Sequence, residues 1–237
     1  MPPTIAESDT GLRVVSDLLQ TDRSIGKHEI ATRKRILDAH REWPAKGYTF
    51  DLEAGERVIA FVENFCKHFK GEWAGTPMLL EPWQKVIILE AFGWMRPDGF
   101  RLHRTLWLEL ARKNGKSQLA AALGVYLLVA DGEPGAEIYS SATKRDQARI
   151  VFDCATQIVK QDRKVWDTLV TAQGARRQPM NILITTAGIY DQEQIGFQLH
   201  DHAVAILDGL VEDDSWCVWI SAADQDDDPY AEKTWEK

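Results

Sequence analysis

The sequence predicts an α/β protein in which helices flank a parallel sheet, with a helical lead-in at the N-terminal end. Short apolar runs typical of strands alternate with stretches of helical periodicity after residue 104. Such alternation implies right-handed crossovers and therefore parallel strands. A content of 44% hydrophobic residues in a chain of 237 is sufficient for one globular domain with a sizeable core.

The sequence of the first part of the chain predicts a helical lead-in. We assign this lead-in to residues 1–50 and the main domain to residues 51–237. Residues 27–42 are polar and helical in character, and Pro44 and Gly47 end that helix. No stretch is apolar and long enough to cross a membrane, and the N-terminus lacks the features of a secretory signal.

The sequence of the main domain predicts two helices before the first strand. Apolar side chains at helical spacing indicate a helix over residues 53–69; they are Val58, Phe61, Val62, Phe65 and Phe69. An amphipathic helix is expected over residues 81–94, with Pro82 near its start. Four strands are then predicted, at residues 105–110, 135–141, 180–186 and 215–223. Three helices separate them, at residues 116–130, 143–160 and 194–211, and the second buries Ile150, Val151, Cys154 and Ile158 on one face.

The charge is unevenly distributed. Residues 184–237 hold 13 Asp and Glu against 2 Lys and Arg, a net of −11, which leaves a net of +3 in residues 1–183. A DNA-binding surface is therefore expected in the first three quarters of the chain, although charge alone favours an ordinary solvated surface. Three widely spaced cysteines indicate reduced thiols rather than a disulfide framework; they are Cys66, Cys154 and Cys217.

The sharpest motif is the loop Arg112-Lys113-Asn114-Gly115-Lys116-Ser117, which follows a strand and opens a helix. Phosphate oxygens need convergent donors, and a tight turn at a helix N-terminus supplies backbone N–H groups and a positive dipole. Lys116 is expected to reach the phosphates and Ser117 to bind Mg²⁺. The consensus GxxxxGK[ST] has its first glycine at Leu110 here. The alternative is a basic surface turn that caps a helix.

These residues resemble the large terminase subunit of tailed bacteriophages, specifically its N-terminal ATPase domain. LARKNGKSQLAAALGVYLL is similar to that family's deviant Walker A segment, and Arg112 matches its loop arginine. Trp83-Gln84 resembles the adenine-side glutamine motif. The resemblance covers most of residues 25–237; its other segments are GEWAGTPMLLEPWQKVIILEAFGW, GAEIYSSATKRDQARIVFDCA, GARRQPMNILITTAG and HDHAVAILDGLVEDDSW.

The resemblance implies a P-loop NTPase-type fold that hydrolyses ATP with Mg²⁺ and drives double-stranded viral DNA into procapsids. It implies catalytic roles for Arg112 and Lys116 and a magnesium ligand in Ser117. The nucleotide-binding residues it implies are Gln84, Arg112, Lys113, Asn114, Gly115, Lys116, Ser117 and Thr186. The implied partners are double-stranded DNA, a small terminase subunit, a portal protein and further copies in a ring, without a membrane, in the host cytoplasm.

The sequence departs from the family at the Walker B strand, which should end in Asp-Glu to hold magnesium and orient water. Residues 155–180 contain no apolar run ending in Asp-Glu, as if a block around position 162 were removed. Five aspartates are poor substitutes. Asp131 and Asp208 end helical stretches, Asp224 is followed by Gln225, and no apolar strand precedes Asp162 or Asp167. The resemblance ends before the family's nuclease domain, and Asp226–Asp228 suggest a solvated loop.

Several assignments stay open. Gln84 either contacts adenine or is a polar residue on a surface helix. Residues 185–188 either sense the γ-phosphate or end a strand, and Arg176 and Arg177 are loop arginines or an arginine finger. His200 and His202 point apart on a helix, which argues against a metal site. The two functional hypotheses are an ATP-driven packaging motor and a deleted, non-hydrolysing remnant that binds only nucleotide or an assembly partner. Loss of a central strand predicts marginal stability at best.

Overall fold

The structure is a computed structural model that describes residues 5–68, 71–111, 113–133, 136–140, 145–161, 178, 180–185, 195–223 and 227. The helices are α1 (Ile5–Leu18), α2 (Lys27–Glu42), α3 (Leu52–Phe65), α4 (Pro82–Gly93), α5 (Lys116–Val129), α6 (Arg145–Gln161) and α7 (Ile195–Leu207). The strands are β1 (Thr49–Phe50), β2 (Trp94–Met95), β3 (Thr105–Leu110), β4 (Asn181–Thr185) and β5 (Trp216–Ser221). None of the helices in these ranges is long and apolar enough to cross a membrane.

Among the described residues, the main sheet has three parallel strands in the order β4-β3-β5, which confirms the predicted parallel sheet flanked by helices. All six residues of β3 are buried, because strands flank it on both sides and helices cover both faces. In the register, Glu109 lies opposite Thr185 of β4, and Leu110 lies opposite Ser221 of β5. A separate antiparallel pair joins β1 and β2.

The two faces of the sheet pack into different cores, as the period of two in a strand requires. Leu106 and Leu108 belong to the larger core, which they share with helices α1 to α6. Trp107 points to the other face and packs with Ala203 and Ile206 of α7. Strand β3, which precedes the candidate phosphate-binding loop, is therefore held from both faces.

Helix α2 lies antiparallel to β5 and is fixed at both ends of that strand. Ser221 at the end of β5 donates to Glu29 near the start of α2, over 2.7 Å. At the other end, the Arg35 guanidinium donates to the carbonyl oxygens of Trp216 at 3.1 Å and Asp213 at 3.0 Å. A covered strand edge has fewer open backbone groups, so α2 protects the outer side of the sheet.

The helices begin and end close to the residues predicted from the sequence, and α2 ends at Glu42 as predicted. A 3-10 turn, Trp43–Lys46, contains Pro44, and Gly47 follows with a φ of 86°. Only glycine adopts this left-handed conformation at low cost, so the turn ends the helix as predicted. Helix α3 ends at Phe65, and Phe69 lies outside the described residues.

Three expectations were wrong. Residues 136–140 of the predicted strand lie outside the sheet, and Tyr139 is exposed. The local apolar pattern did not reveal that this segment has no pairing partner among the described strands. Helix α4 is buried on nearly all sides rather than amphipathic, because α1, α3 and β5 surround it. On α6, Cys154 and Ile158 are buried as expected, but Ile150 is half exposed.

Candidate phosphate-binding site

The loop between β3 and α5 contains two residues in the left-handed region. Lys113 has a φ of 71°, and it is the one non-glycine with a positive φ in the described chain. Gly115 has a φ of 66° and is the N-cap of α5. A non-glycine residue in this region costs about 1–2 kcal/mol, and such strain is concentrated at binding sites. A Cβ on Gly115 would meet nothing within 4 Å, so the backbone angle explains the glycine.

Lys116 lies at the carboxyl edge of the sheet. Its Nζ donates to the carbonyl oxygens of Leu110 at 2.9 Å and Ala111 at 2.6 Å. Ser117 is the second residue of α5 and is partly accessible, and Asn114 is exposed in the loop. Ligands of open α/β sheets bind outside the carboxyl ends of the strands, where this lysine and the helix N-terminus meet.

Gln84 has a structural role in the start of α4. It lies in the first turn of α4, and its Oε1 accepts the backbone N–H of Glu81 at 3.0 Å, which completes a capping box. The Trp83 ring centroid is 6.5 Å from that of Trp219 in β5. Gln84 is buried, so a place on an open helix surface is excluded. Its contact with adenine stays a prediction.

A buried ionic cluster at the end of β5 was missed by the sequence reasoning. Glu29 is 0% exposed and accepts from Arg23 at 2.7 and 2.8 Å and from Arg33 at 2.6 and 3.0 Å. Ser221 donates to the same carboxylate. The signal was present, because Glu29 precedes the buried Thr32 and Ile36 at spacings of three and seven residues on one helix face.

A second buried carboxylate was also missed. Glu109, near the end of β3, is 2.7 Å from the Nδ1 of His200 on α7. This bond raises the pKa of His200 because it favours the protonated ring. The His202 ring instead packs on Trp216, with centroids 4.8 Å apart. The two histidines diverge as expected, and the described residues contain no group of three or more metal-ligating side chains.

The structure places two of the doubtful aspartates away from the phosphate loop. Asp131 follows the C-terminal end of α5 and pairs with Arg101 at 2.7 Å. Because α5 has 14 residues, this carboxylate lies about 20 Å from the loop. Asp208 follows the end of α7. The remaining candidates lie outside the described residues: Arg112, Asp162, Asp167, Arg176, Arg177, Thr186, Asp224, Asp226 and Asp228.

Three comparisons with known proteins agree with one another. Residues 82–167 match the family model of the terminase large subunit, ATPase domain. The chain is 38% identical over 127 residues to the terminase large subunit of Enterobacteria phage HK97, which covers 53% of this chain and 24% of that protein. The crystal structure of the HK97 bacteriophage large terminase is similar over 76% of this chain and 46% of that one, with 26% identity and a TM-score of 0.58.

The chain thus spans a quarter of the curated relative and under half of the solved structure. The family match includes Gln84 and the whole phosphate loop, from Arg112 to Ser117. Sequence and structure together relate this chain to the ATPase domain of phage terminase large subunits.

Proposed function

We propose that this chain binds Mg·ATP at the loop of residues 112–117 and acts as the ATPase module of a terminase large subunit, a motor that packages viral DNA. The observation that carries the proposal is the position of the Lys116 ammonium. It lies at the end of the central strand and at the start of α5, beside the left-handed Lys113 and Gly115. A cation, a helix N-terminus and a tight loop together favour a polyphosphate.

The residues present fit this ligand. The N-terminus of α5 directs backbone N–H groups and the positive end of the helix dipole toward the loop, and the open space beside Gly115 leaves room for phosphate oxygens. Lys116 would exchange its carbonyl partners for phosphate oxygens, and Ser117 would offer its hydroxyl to Mg²⁺. When bound, Mg·ATP supplies a γ-phosphoryl group whose charge the ion partly neutralises. Arg112 belongs to the same loop in the sequence and would add a guanidinium group to the site.

The partners proposed with this function follow the family. They are double-stranded DNA, a small terminase subunit, a portal protein and further copies of the chain in a ring, in the host cytoplasm. Double-stranded DNA is polyanionic, so its surface belongs in the positively charged residues 1–183 rather than in the acidic C-terminal quarter.

A specific observation favours a second function, nucleotide binding without hydrolysis. Hydrolysis needs a carboxylate that orients the attacking water beside the phosphates. Strands β4 and β5 flank the phosphate-loop strand, and they end at Thr185 and Ser221. Neither strand carries an Asp-Glu pair at its described carboxyl end. A remnant that binds nucleotide or an assembly partner fits this arrangement.

Turnover and binding measurements on one set of variants separate the two functions. Lys116→Ala removes the phosphate cation, and Lys34→Ala removes the same charge from an exposed position on α2. A charge-assisted hydrogen bond contributes about 1.5–3 kcal/mol, so Lys116→Ala should weaken binding of a non-hydrolysable ATP analogue about 10- to 100-fold. Lys34→Ala should leave it unchanged.

Each outcome has a distinct meaning. ATP turnover that Lys116→Ala abolishes supports the motor ATPase. Analogue binding without turnover, lost in Lys116→Ala, supports the non-hydrolysing remnant. Absence of both turnover and binding in the unmodified chain contradicts the nucleotide site altogether.

A further inference from the structure

We propose that Lys67 is a second cation of the nucleotide site, held beside the N-terminus of α5 by Gln118, where its ammonium group binds an α-phosphate oxygen of the nucleotide. The inference rests on the proposed nucleotide binding and adds the segment that follows α3 to the site. Lys67 lies outside the loop of residues 112–117 and outside residues 82–167, which the family model matches.

The side chain of Gln118 connects the first turn of α5 to Lys67 and His68. Gln118 is the third residue of the helix and directly follows Ser117. Its Nε2 donates to the carbonyl oxygen of Lys67 at 3.2 Å, and its Oε1 lies 3.2 Å from the His68 Nδ1. Because both ends of the amide are engaged, the Gln118 side chain holds the backbone of this segment against the helix.

The segment around Lys67 is also fixed from its other side. The backbone N–H of His68 donates to the Thr76 carbonyl oxygen at 2.9 Å, and that of Gly75 donates to the His68 carbonyl oxygen at 2.7 Å. Cys66 is buried, so the chain enters this segment from the core. Lys67 therefore has a defined backbone position and an exposed side chain.

The geometry of the helix relates this segment to the phosphate chain of a nucleotide. Successive residues of an α-helix are about 100° apart, so Gln118 lies about 200° around α5 from Lys116, nearly on the opposite side. In a phosphate loop the lysine reaches the β- and γ-phosphates, while backbone N–H groups hold the α- and β-phosphates. A nucleotide with its γ-phosphate at Lys116 would therefore have its α-phosphate and nucleoside on the Gln118 side, where Lys67 is held.

An ammonium group at this position suits an α-phosphate. A lysine side chain has a flexible four-carbon stem and three donors, so it can follow a phosphate oxygen from a fixed backbone. Lys67 and Lys116 would then hold the two ends of the triphosphate. Inorganic pyrophosphate, which has only two phosphate groups, would occupy the Lys116 end alone.

The test measures binding of a non-hydrolysable ATP analogue to the full chain by isothermal titration calorimetry with Mg²⁺, and of pyrophosphate by competition with that analogue. Lys67→Ala should weaken binding of the analogue about tenfold, as expected for a lost charge-assisted hydrogen bond, and should leave that of pyrophosphate unchanged. Lys67→Arg keeps the charge and should bind the analogue more tightly than Lys67→Ala does. Lys34→Ala is the matched control, because it removes the same charge from an exposed position on α2.

The other outcomes overturn the inference in distinguishable ways. If Lys67→Ala binds the analogue as tightly as the unmodified chain, Lys67 does not contact the nucleotide. If Lys67→Ala weakens binding of the analogue and of pyrophosphate by the same factor, or Lys34→Ala has an equal effect, Lys67 acts only through long-range charge. If the unmodified chain does not bind the analogue, or Lys116→Ala leaves its binding unchanged, the nucleotide site itself is wrong and the inference fails with it.

Discussion

The Glu29→Gln substitution tests whether the buried cluster stabilises the fold. The amide keeps the shape of the side chain but removes the carboxylate that Arg23 and Arg33 share. It also directs an amide donor toward guanidinium groups that have no acceptor function. The two guanidinium groups would then lose the negative charge that they share in a largely buried place, and one of the two oxygens near the Ser221 hydroxyl would become an NH2 group that cannot accept its hydrogen bond.

The magnitude follows from the exposure of the three charged groups. Removal of one partner of a buried ion pair costs about 3–5 kcal/mol, because the other charge stays buried without compensation. Glu29 and Arg33 are 0% and 13% exposed, but Arg23 is 31% exposed and regains part of its hydration. We therefore expect about 3 kcal/mol, at the lower end of that range. In a domain of this size such a loss lowers the melting temperature by about 6–12 °C.

The assay is urea unfolding followed by tryptophan fluorescence, with thermal unfolding as a second measurement. Asp38→Asn is the matched control on the same helix, because its partner Arg41 is 61% exposed, and such pairs contribute only about 0–1 kcal/mol. A Glu29→Gln destabilisation below about 1 kcal/mol, equal to that of the control, would refute the reasoning and show that the cluster is effectively solvated.

Three further predictions concern groups elsewhere in the fold. Glu109 raises the pKa of His200 above its ordinary 6.5, so this pair stabilises the protein fully below about pH 6.5 and less as the pH rises through the raised pKa. The difference in unfolding free energy between the unmodified chain and His200→Gln should therefore be larger at pH 6 than at pH 9; equal differences would contradict it. Burial raises the pKa of the Cys66 thiol to about 12, and it also raises the pKa of the Cys217 thiol. All three buried cysteines should react with a thiol reagent only after unfolding, and fast labelling of the native chain would show that they are accessible. Gly55→Ala should lower the free energy of unfolding in urea by about 1–3 kcal/mol, because the added Cβ would lie 2.9 Å from the Leu89 Cα. Gly124→Ala is the control and should not lower it, because its added Cβ would lie at an ordinary 3.6 Å from a side-chain atom. Equal effects would refute that packing argument.

The sequence predicted those parts of the fold that depend on local pattern. The periodicity of residues 27–42 and 116–130 and the apolar run of residues 105–110 each correspond to an element of the structure. The candidate phosphate loop could be predicted for the same reason, because its strand, turn and helix are contiguous in the sequence. Two of its residues adopt the left-handed conformation that a tight turn requires.

The sequence did not reveal features that depend on distant partners. Residues 135–141 have the composition of a strand, but pairing is decided by neighbours that a local pattern does not contain. Glu29 has the helical spacing of a core residue, but its partner Ser221 is 192 residues away. Glu109 interrupts an apolar run, and its partner His200 is 91 residues away. In both cases the sequence shows a charge in an apolar pattern but not what compensates it.

These long-range pairs change the role of the N-terminal lead-in. A boundary at residue 50 separates segments of different composition, yet Ile36 and Trp43 of the lead-in belong to the same core as Leu106 and Leu108 of the phosphate-loop strand. Helix α2 is bonded to both ends of β5, through Glu29 to Ser221 and through Arg35 to Trp216. A displacement of the carboxyl end of β5 would therefore either move the helix or break the hydrogen bond between Ser221 and Glu29. The contact of Ser221 with Glu29 is therefore the direct link between the carboxyl edge of the sheet and the lead-in.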